Sequence, residues 1–213
     1  MNKINYQTET EKIINALEKN GETPPLLLHS CCGPCSSYVI SYLADFFEIG
    51  VFYYNPNIFP EEEYLKRKSE QMKLINIFNE EGKTVKFIDA DYDYGVFLKE
   101  TPGRENDKEG GPSCGKCYAF RLKKTAEFAK ANGYEYFCTT LSVSPYKNSA
   151  VLNNLGNKIS KETGVKYLYS DFKKKDGYLK SIRLSQKYDL YRQHYCGCSY
   201  SKAEADQAKK SGS

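Results

Sequence analysis

No apolar run in this chain approaches the roughly 18 residues of a membrane helix. Residues 1–20 are charged and polar and lack the apolar core of a signal peptide. A cytoplasmic protein with no membrane partner is therefore expected. Nucleotide motifs are missing too. There is no Walker A sequence, no Gly-x-Gly-x-x-Gly fingerprint and no Ser-Gly-Gly-x-Asp-Ser loop of the ATP pyrophosphatases, so adenylation chemistry lacks its phosphate cradle. Tryptophan is absent, whereas 19 tyrosines stand beside 11 phenylalanines. Tyrosine joins a large apolar surface to a polar tip and suits half-buried and ligand-facing positions.

What remains is an ordinary globular composition. Of 213 residues, 40% are apolar and 27% charged, which excludes collagen-like, coiled-coil and wholly disordered classes. That length supports a hydrophobic core without disulfide or metal staples. With no internal repeat or linker, residues 1–213 read as a single α/β domain, with about residues 200–213 a frayed tail. The net charge of +4 is too small to announce nucleic-acid binding by itself. Its distribution says more: residues 171–192 hold seven basic and three acidic side chains. Lys173, Lys174, Lys175, Lys180, Arg183, Lys187 and Arg192 are interleaved there with Tyr178, Tyr188 and Tyr191. Cations among aromatics suit a phosphate backbone and splayed bases. A solvated helix face is the commoner meaning of such a run.

The periodicity predicts helices over 6–20, 34–47, 60–81, 114–132, 148–162 and 176–193. Strands are expected over 26–30, 49–55, 85–90, 134–141 and 166–169, and a loop over 101–113. Strands alternating with helices imply right-handed crossovers and a doubly wound parallel sheet of about five strands, Rossmann-like, with both faces covered. Ligands of such sheets sit at the carboxyl ends of the strands. Cys31, the Asn55-Pro56-Asn57 turn and residues 142–147 each follow a predicted strand, so they should meet at one edge.

Cysteine decides the chemistry. Seven of the eight fall into three groups: Cys31-Cys32-Gly33-Pro34-Cys35, Cys114-Gly115-Lys116-Cys117 and Cys196-Gly197-Cys198. In a reducing compartment such groups mean metal binding or thiol redox chemistry. Adjacent cysteines do not easily share one small ion but can reach different irons of a larger cluster. Cys114 and Cys117, at a helix start, add two thiolates acidified by the helix dipole. Two plus two makes the ligand set of a cubane [4Fe–4S]; a structural zinc held by four cysteines uses the same count. Cys196 and Cys198 suit either a strained, easily reduced disulfide or a further pair of metal ligands. Cys138, mid-strand, reads as a buried inert thiol, and His29 as a core histidine.

These residues resemble the cobalamin-independent epoxyqueuosine reductases, the QueH type. The matching stretches are His29–Cys35, Tyr54–Ile58 with Glu63-Tyr64, Cys114–Tyr118 with Arg121-Leu122, Thr139–Leu141 with Ser144–Lys147, and Tyr191–Cys198. They run in order through the domain, and the double-Cys opening together with the terminal Tyr-Cys-Gly-Cys is specific. The resemblance implies a Rossmann-like fold of the adenine nucleotide alpha hydrolase-like group. It also implies reduction of epoxyqueuosine to queuosine at the tRNA wobble position, the last step of queuosine synthesis. It makes Cys31, Cys32, Cys114 and Cys117 ligands of a [4Fe–4S] cluster, and Cys196 and Cys198 a catalytic, redox-active disulfide. An additional mononuclear iron is implied, with Cys35 its candidate ligand. Asn55, Asn57, Tyr118, Arg121, Lys147 and Arg192 are the candidate substrate residues. The partners are tRNA carrying epoxyqueuosine and an unidentified electron donor. Loss of the epoxide oxygen as water takes two electrons and two protons, and an open iron site can grip that oxygen. Another Fe–S tRNA-modifying enzyme, such as a sulfur-transferase, and a zinc-stabilised RNA-binding domain are the competing readings.

Overall fold

The computed structural model describes residues 4–103, 107 and 109–211. Five strands form its centre: β1 (Pro25–His29), β2 (Glu48–Tyr53), β3 (Val85–Asp89), β4 (Tyr136–Thr139) and β5 (Lys166–Tyr167). They lie in the order β3-β2-β1-β4-β5, every neighbouring pair parallel. Parallel neighbours require crossovers, and helices supply them. α2 (Gly33–Leu43) joins β1 to β2, and α3 (Glu61–Glu80) joins β2 to β3. α5 (Pro112–Ala131) leads into β4, and α6 (Ser149–Thr163) into β5. α1 (Tyr6–Asn20) precedes the sheet; α4 (Tyr94–Glu100), α7 (Gly177–Lys187) and α8 (Ser199–Ser211) complete the fold.

The run Leu26-Leu27-Leu28 is continuous because both faces of the sheet are covered. Leu26 and Leu28 pack with Val51 beneath Ile14, Leu17, Val39, Leu74 and Phe78 of α1, α2 and α3. Leu27 packs on the other face with Phe52 and Phe137 against Leu122, Ala126, Leu152 and Ile159 of α5 and α6. Each such leucine contributes about 1.5–3 kcal/mol by burial. Local chemistry sets the helix ends. Asn5 caps α1, and the Asn148 side chain accepts from the amides of Ala150 and Val151 at the start of α6. Pro34 and Pro112 occupy first turns.

Several boundaries differ from the periodicity. The helix expected over 34–47 ends at Leu43. The strand expected over 134–141 ends at Thr139, whose hydroxyl accepts from the amide of Leu141 and tightens Thr140–Val143 into a 3-10 turn. The helix expected over 176–193 ends at Lys187. Beyond it, α3 captures the backbone: Lys73 Nζ donates to Asp189 O at 2.6 Å, and Glu70 Oε2 accepts from the amide of Tyr191 at 2.8 Å. The loop expected over 101–113 lies partly outside the described residues, and its last two positions open α5. Instead of a frayed tail, the chain after residue 198 forms α8. Tyr200 meets Phe97 of α4 with ring centroids 5.3 Å apart, and Ser201 is buried.

Candidate active site

β1 lies between β2 and β4, so the chain leaves it in opposite directions on its two sides and a crevice opens at the carboxyl ends. Cys31 and Cys32 follow β1 directly, and Cys32 caps α2. The Cys31 and Cys32 thiols influence each other electrostatically, as do those of Cys32 and Cys35. Cys114 and Cys117 come from the first turns of α5. Cys196 and Cys198 are carried in by the segment after α7, and Arg67 of α3 anchors it. The buried Arg67 guanidinium donates to Cys196 O at 2.9 Å, to Tyr195 O at 3.2 Å and to Glu63 Oε1 at 2.7 Å. Gly197 is obligatory between the two cysteines. Its φ is +134°, and a Cβ there would lie 3.0 Å from Arg67 Nη1 and 3.2 Å from Ile58 Cγ1.

Arg121 of α5 sits at the centre, with 2% of its surface exposed. Its Nη2 donates to Asn55 Oδ1 at 2.7 Å, its Nε to His29 Nε2 at 3.2 Å, and its Nη1 to Cys117 Sγ at 3.6 Å. Among the described residues no carboxylate pairs with it. Burial disfavours its charge, but the sulfurs of Cys117 and Cys31 outweigh burial and raise its pKa. His29 is the converse. Burial, then repulsion from Arg121, holds it well below the ordinary histidine range. It stays neutral, with Nδ1 3.0 Å from Thr139 Oγ1.

The helix end does not acidify Cys117, contrary to what its spacing suggests. Burial pushes Cys117 up to about 12. For Cys31 the neighbouring Cys32 thiol and then burial raise the pKa well above the usual thiol range. For Cys32 the Cys31 thiol lowers it, but the Cys35 thiol and burial bring it to about 12. Proton release from these sulfurs therefore needs a strong positive partner. Among the described residues no three His, Cys, Asp or Glu side chains group as a site for a single metal ion. A cubane spreads its ligands over four irons, so thiols that do not converge on one point remain suited to it.

A cavity of about 430 Å³ opens over this layer, lined by Cys31, Cys35, Arg121, Lys147, Arg192 and Cys196 among others. Lys147 is buried, and its Nζ lies 2.5 Å from Glu109 Oε1 and 3.0 Å from Cys196 Sγ. The candidate substrate residues divide. Arg121, Lys147 and the exposed Arg192 face the cavity. Asn55 is fully buried behind Arg121, donating to Ser30 O at 2.8 Å. Asn57 and Tyr118 are buried off the cavity, and Asn57 Oδ1 has no hydrogen-bond partner among the described residues. Cys138 is fully buried between β4 and Leu168, and its Sγ lies 3.2 Å from Leu168 O.

In the basic segment, Lys173 pairs with Asp171, Lys175 with Glu11 and Lys187 with Glu81. Lys174 and Arg183 are exposed and make no ion pair among the described residues. Sequence reading passed over Arg67, Glu109 and the buried cluster in which Gln71 Oε1 accepts from Ser30 and Ser36 at 2.7 Å. For Arg67 a signal existed, because Glu63 stands one helical turn before it.

The family model described as "Epoxyqueuosine reductase QueH" matches residues 26–204. An "Epoxyqueuosine reductase QueH" of Streptococcus pyogenes serotype M1 is 41% identical over 93% of this chain and 78% of its own length. One from Staphylococcus epidermidis is 43% identical over 92% and 84%. One from Thermotoga maritima is 36% identical over 84% and 91%. Among solved structures, a chain described as a predicted subunit of tRNA methyltransferase from Methanocaldococcus jannaschii superposes with a TM-score of 0.46. It is 14% identical over 76% of this chain and 74% of that one. The family match extends from β1 into α8 and takes in every cysteine of the crevice, and the chain belongs to the epoxyqueuosine reductase QueH family.

Proposed function

We propose that the chain reduces epoxyqueuosine to queuosine at the wobble position of tRNA. In this reading Cys31, Cys32, Cys114 and Cys117 are the ligands of a [4Fe–4S] cluster, and Cys196 and Cys198 form a redox pair. Arg121 is the observation that carries it. A buried guanidinium without a carboxylate costs several kcal/mol unless an anion faces it, and beside the neutral Asn55 and His29 the groups near this one that can carry negative charge are sulfurs. Four thiolates on a cubane supply negative charge beside that cation. Cys35 lines the cavity beside Cys31, which makes it the candidate ligand of the additional iron. When bound, such centres supply single electrons and a Lewis acid for the epoxide oxygen.

The chain's own groups account for the remainder. Deoxygenation breaks both C–O bonds of the epoxide, forms the alkene and releases the oxygen as water, consuming two electrons and two protons. Two thiols closing to one disulfide release that number of each. Lys147 Nζ, donating to Cys196 Sγ at 3.0 Å, fixes a positive charge beside one sulfur of the pair. Glu109 holds the ammonium in place. An external electron donor then reopens the disulfide. Cys31 and Cys196 both line the cavity, which is open to substrate.

A double Cys196→Ser, Cys198→Ser variant, purified anaerobically, is expected to keep its iron and sulfide yet fail to turn over tRNA carrying epoxyqueuosine. Loss of the cluster in that variant would make the pair ligands and redraw the four-cysteine set. A colourless zinc-containing wild type, with unchanged queuosine in the tRNA of a deletion strain, would overturn the reading as a whole.

A further inference from the structure

The chain has no tryptophan and buries most of its large rings, yet Tyr146 is 72% exposed, more than any other large apolar side chain described. It stands on the rim of the cysteine-lined cavity. Its ring makes no ring, cation or hydrogen-bond contact among the described residues, although its neighbours are committed. Tyr195 donates to Phe59 O at 2.7 Å, and His194 packs on Tyr195 with centroids 5.4 Å apart. A free aromatic side chain at the mouth of a polar site is exposed at a cost in apolar surface.

The backbone beneath Tyr146 is held firmly. Ser144 N donates to Leu141 O, Lys147 N to Ser144 O and Tyr146 N to Ser144 Oγ, at 3.2, 3.2 and 3.3 Å. Pro145 restricts φ, and the Lys147 side chain is pinned between Glu109 and Cys196. The ring is thus presented on a preorganised turn. Volume supplies the second constraint. A cavity of about 430 Å³ lies near the small end of ligand pockets. It admits one modified nucleoside, and the nucleotides on either side of it must lie outside on the rim. Exposed Arg192, with no carboxylate partner among the described residues, shares that rim. Single-stranded RNA is gripped by this combination of an aromatic face and a guanidinium.

Resting on the tRNA reading above, we propose that Tyr146 is a specificity-determining residue. Its ring stacks on the base adjoining the modified nucleoside in the splayed anticodon loop, so the enzyme favours the nucleoside within RNA over the free nucleoside. Stacking needs a π face but no hydroxyl, which makes substitutions discriminating.

The test uses the anaerobic holoenzyme and a synthetic anticodon stem–loop carrying epoxyqueuosine. Tyr146→Phe should bind it as the wild type does. Tyr146→Leu, of similar bulk without a π face, should bind roughly 5- to 150-fold more weakly, the worth of one stacked base. The free epoxyqueuosine nucleoside should be turned over equally by both. Tyr146→Trp becomes the only tryptophan, and its fluorescence should be quenched as the stem–loop is titrated in. Equal stem–loop affinity of the Leu variant, or an unquenched Trp, overturns the stacking role while leaving the tRNA reading intact. A wild type that neither binds nor reduces the stem–loop removes both.

Discussion

The two ends of the sheet carry cavities of opposite character. At the amino ends of the strands lies the larger, about 660 Å³, bordered by Pro25, Phe47, Ile49, Gly50, Lys83 and Tyr134 among others. Its ion pair, Lys83 with Asp45 at 2.6 Å, stands in solvent, and no cysteine lines it. The carboxyl-end cavity is smaller, yet beneath it lie Arg121, His29, Lys147 and the thiols of Cys31, Cys32 and Cys117, all buried. Burying charge is costly, so a protein keeps buried charge where chemistry needs it. A hollow between solvent-exposed turns carries no such cost. In this molecule buried charge marks the working edge, and size does not.

The largest test of that contrast removes sulfur. Replacing any one of Cys31, Cys32, Cys114 or Cys117 by Ser should abolish or destabilise the brown visible absorbance and lower the iron content of anaerobic protein. Cys138→Ala should leave both intact, because that thiol faces Leu168 on the opposite face of the sheet. If Cys138→Ala bleached the protein and the four serine variants did not, the edges would have been misread.

A smaller effect is expected from Arg121→Met, which keeps length and removes charge. Chemical denaturation should show the cluster-loaded form losing about 3–5 kcal/mol, as when one partner of a buried pair is deleted. The cluster-free form should lose less, and the reduction potential of the cluster should fall. Equal losses in both forms, with an unchanged potential, would make Arg121 a packing residue.

The smallest effect belongs to the amino end. A Cβ at Gly50 would lie 2.3 Å from Tyr134 OH and 2.8 Å from Ile88 Cδ1, both ends of movable side chains. Gly50→Ala should therefore cost about 1–3 kcal/mol, read as a lower Tm, with turnover unchanged. Turnover lost without loss of fold would give the larger cavity a function and break the comparison.

Much of the fold was legible because its signals are local. The unbroken Leu26–Leu28 run announced a buried strand, and the glutamates at 61–63 and Pro34 announced helix starts, whereas Pro112 was read as part of a loop and opens α5. Errors fell where tertiary contacts override local preference. Lys73 and Glu70 of α3 draw residues 189–191 out of the expected helix. α4 and α8 hold each other through Phe97 and Tyr200, partners distant in sequence. In the site, the cysteine groups were conspicuous by spacing. The roles of Arg67, Arg121 and Glu109 were not, because a cation's partner, or lack of one, is invisible before folding.

By itself the sequence determined the thiol inventory, the alternation of strands and helices, and the meeting of three motifs beyond strand ends. These follow from covalent order and short-range periodicity. Only the tertiary structure decided which charges are buried together: Arg121 with no carboxylate partner among the described residues, neutral His29 beside it, and Lys147 between Glu109 and Cys196. Electrostatic energy depends on distance and on the exclusion of water. Both arise only when α3, α5 and the segment before α8 close over the end of β1.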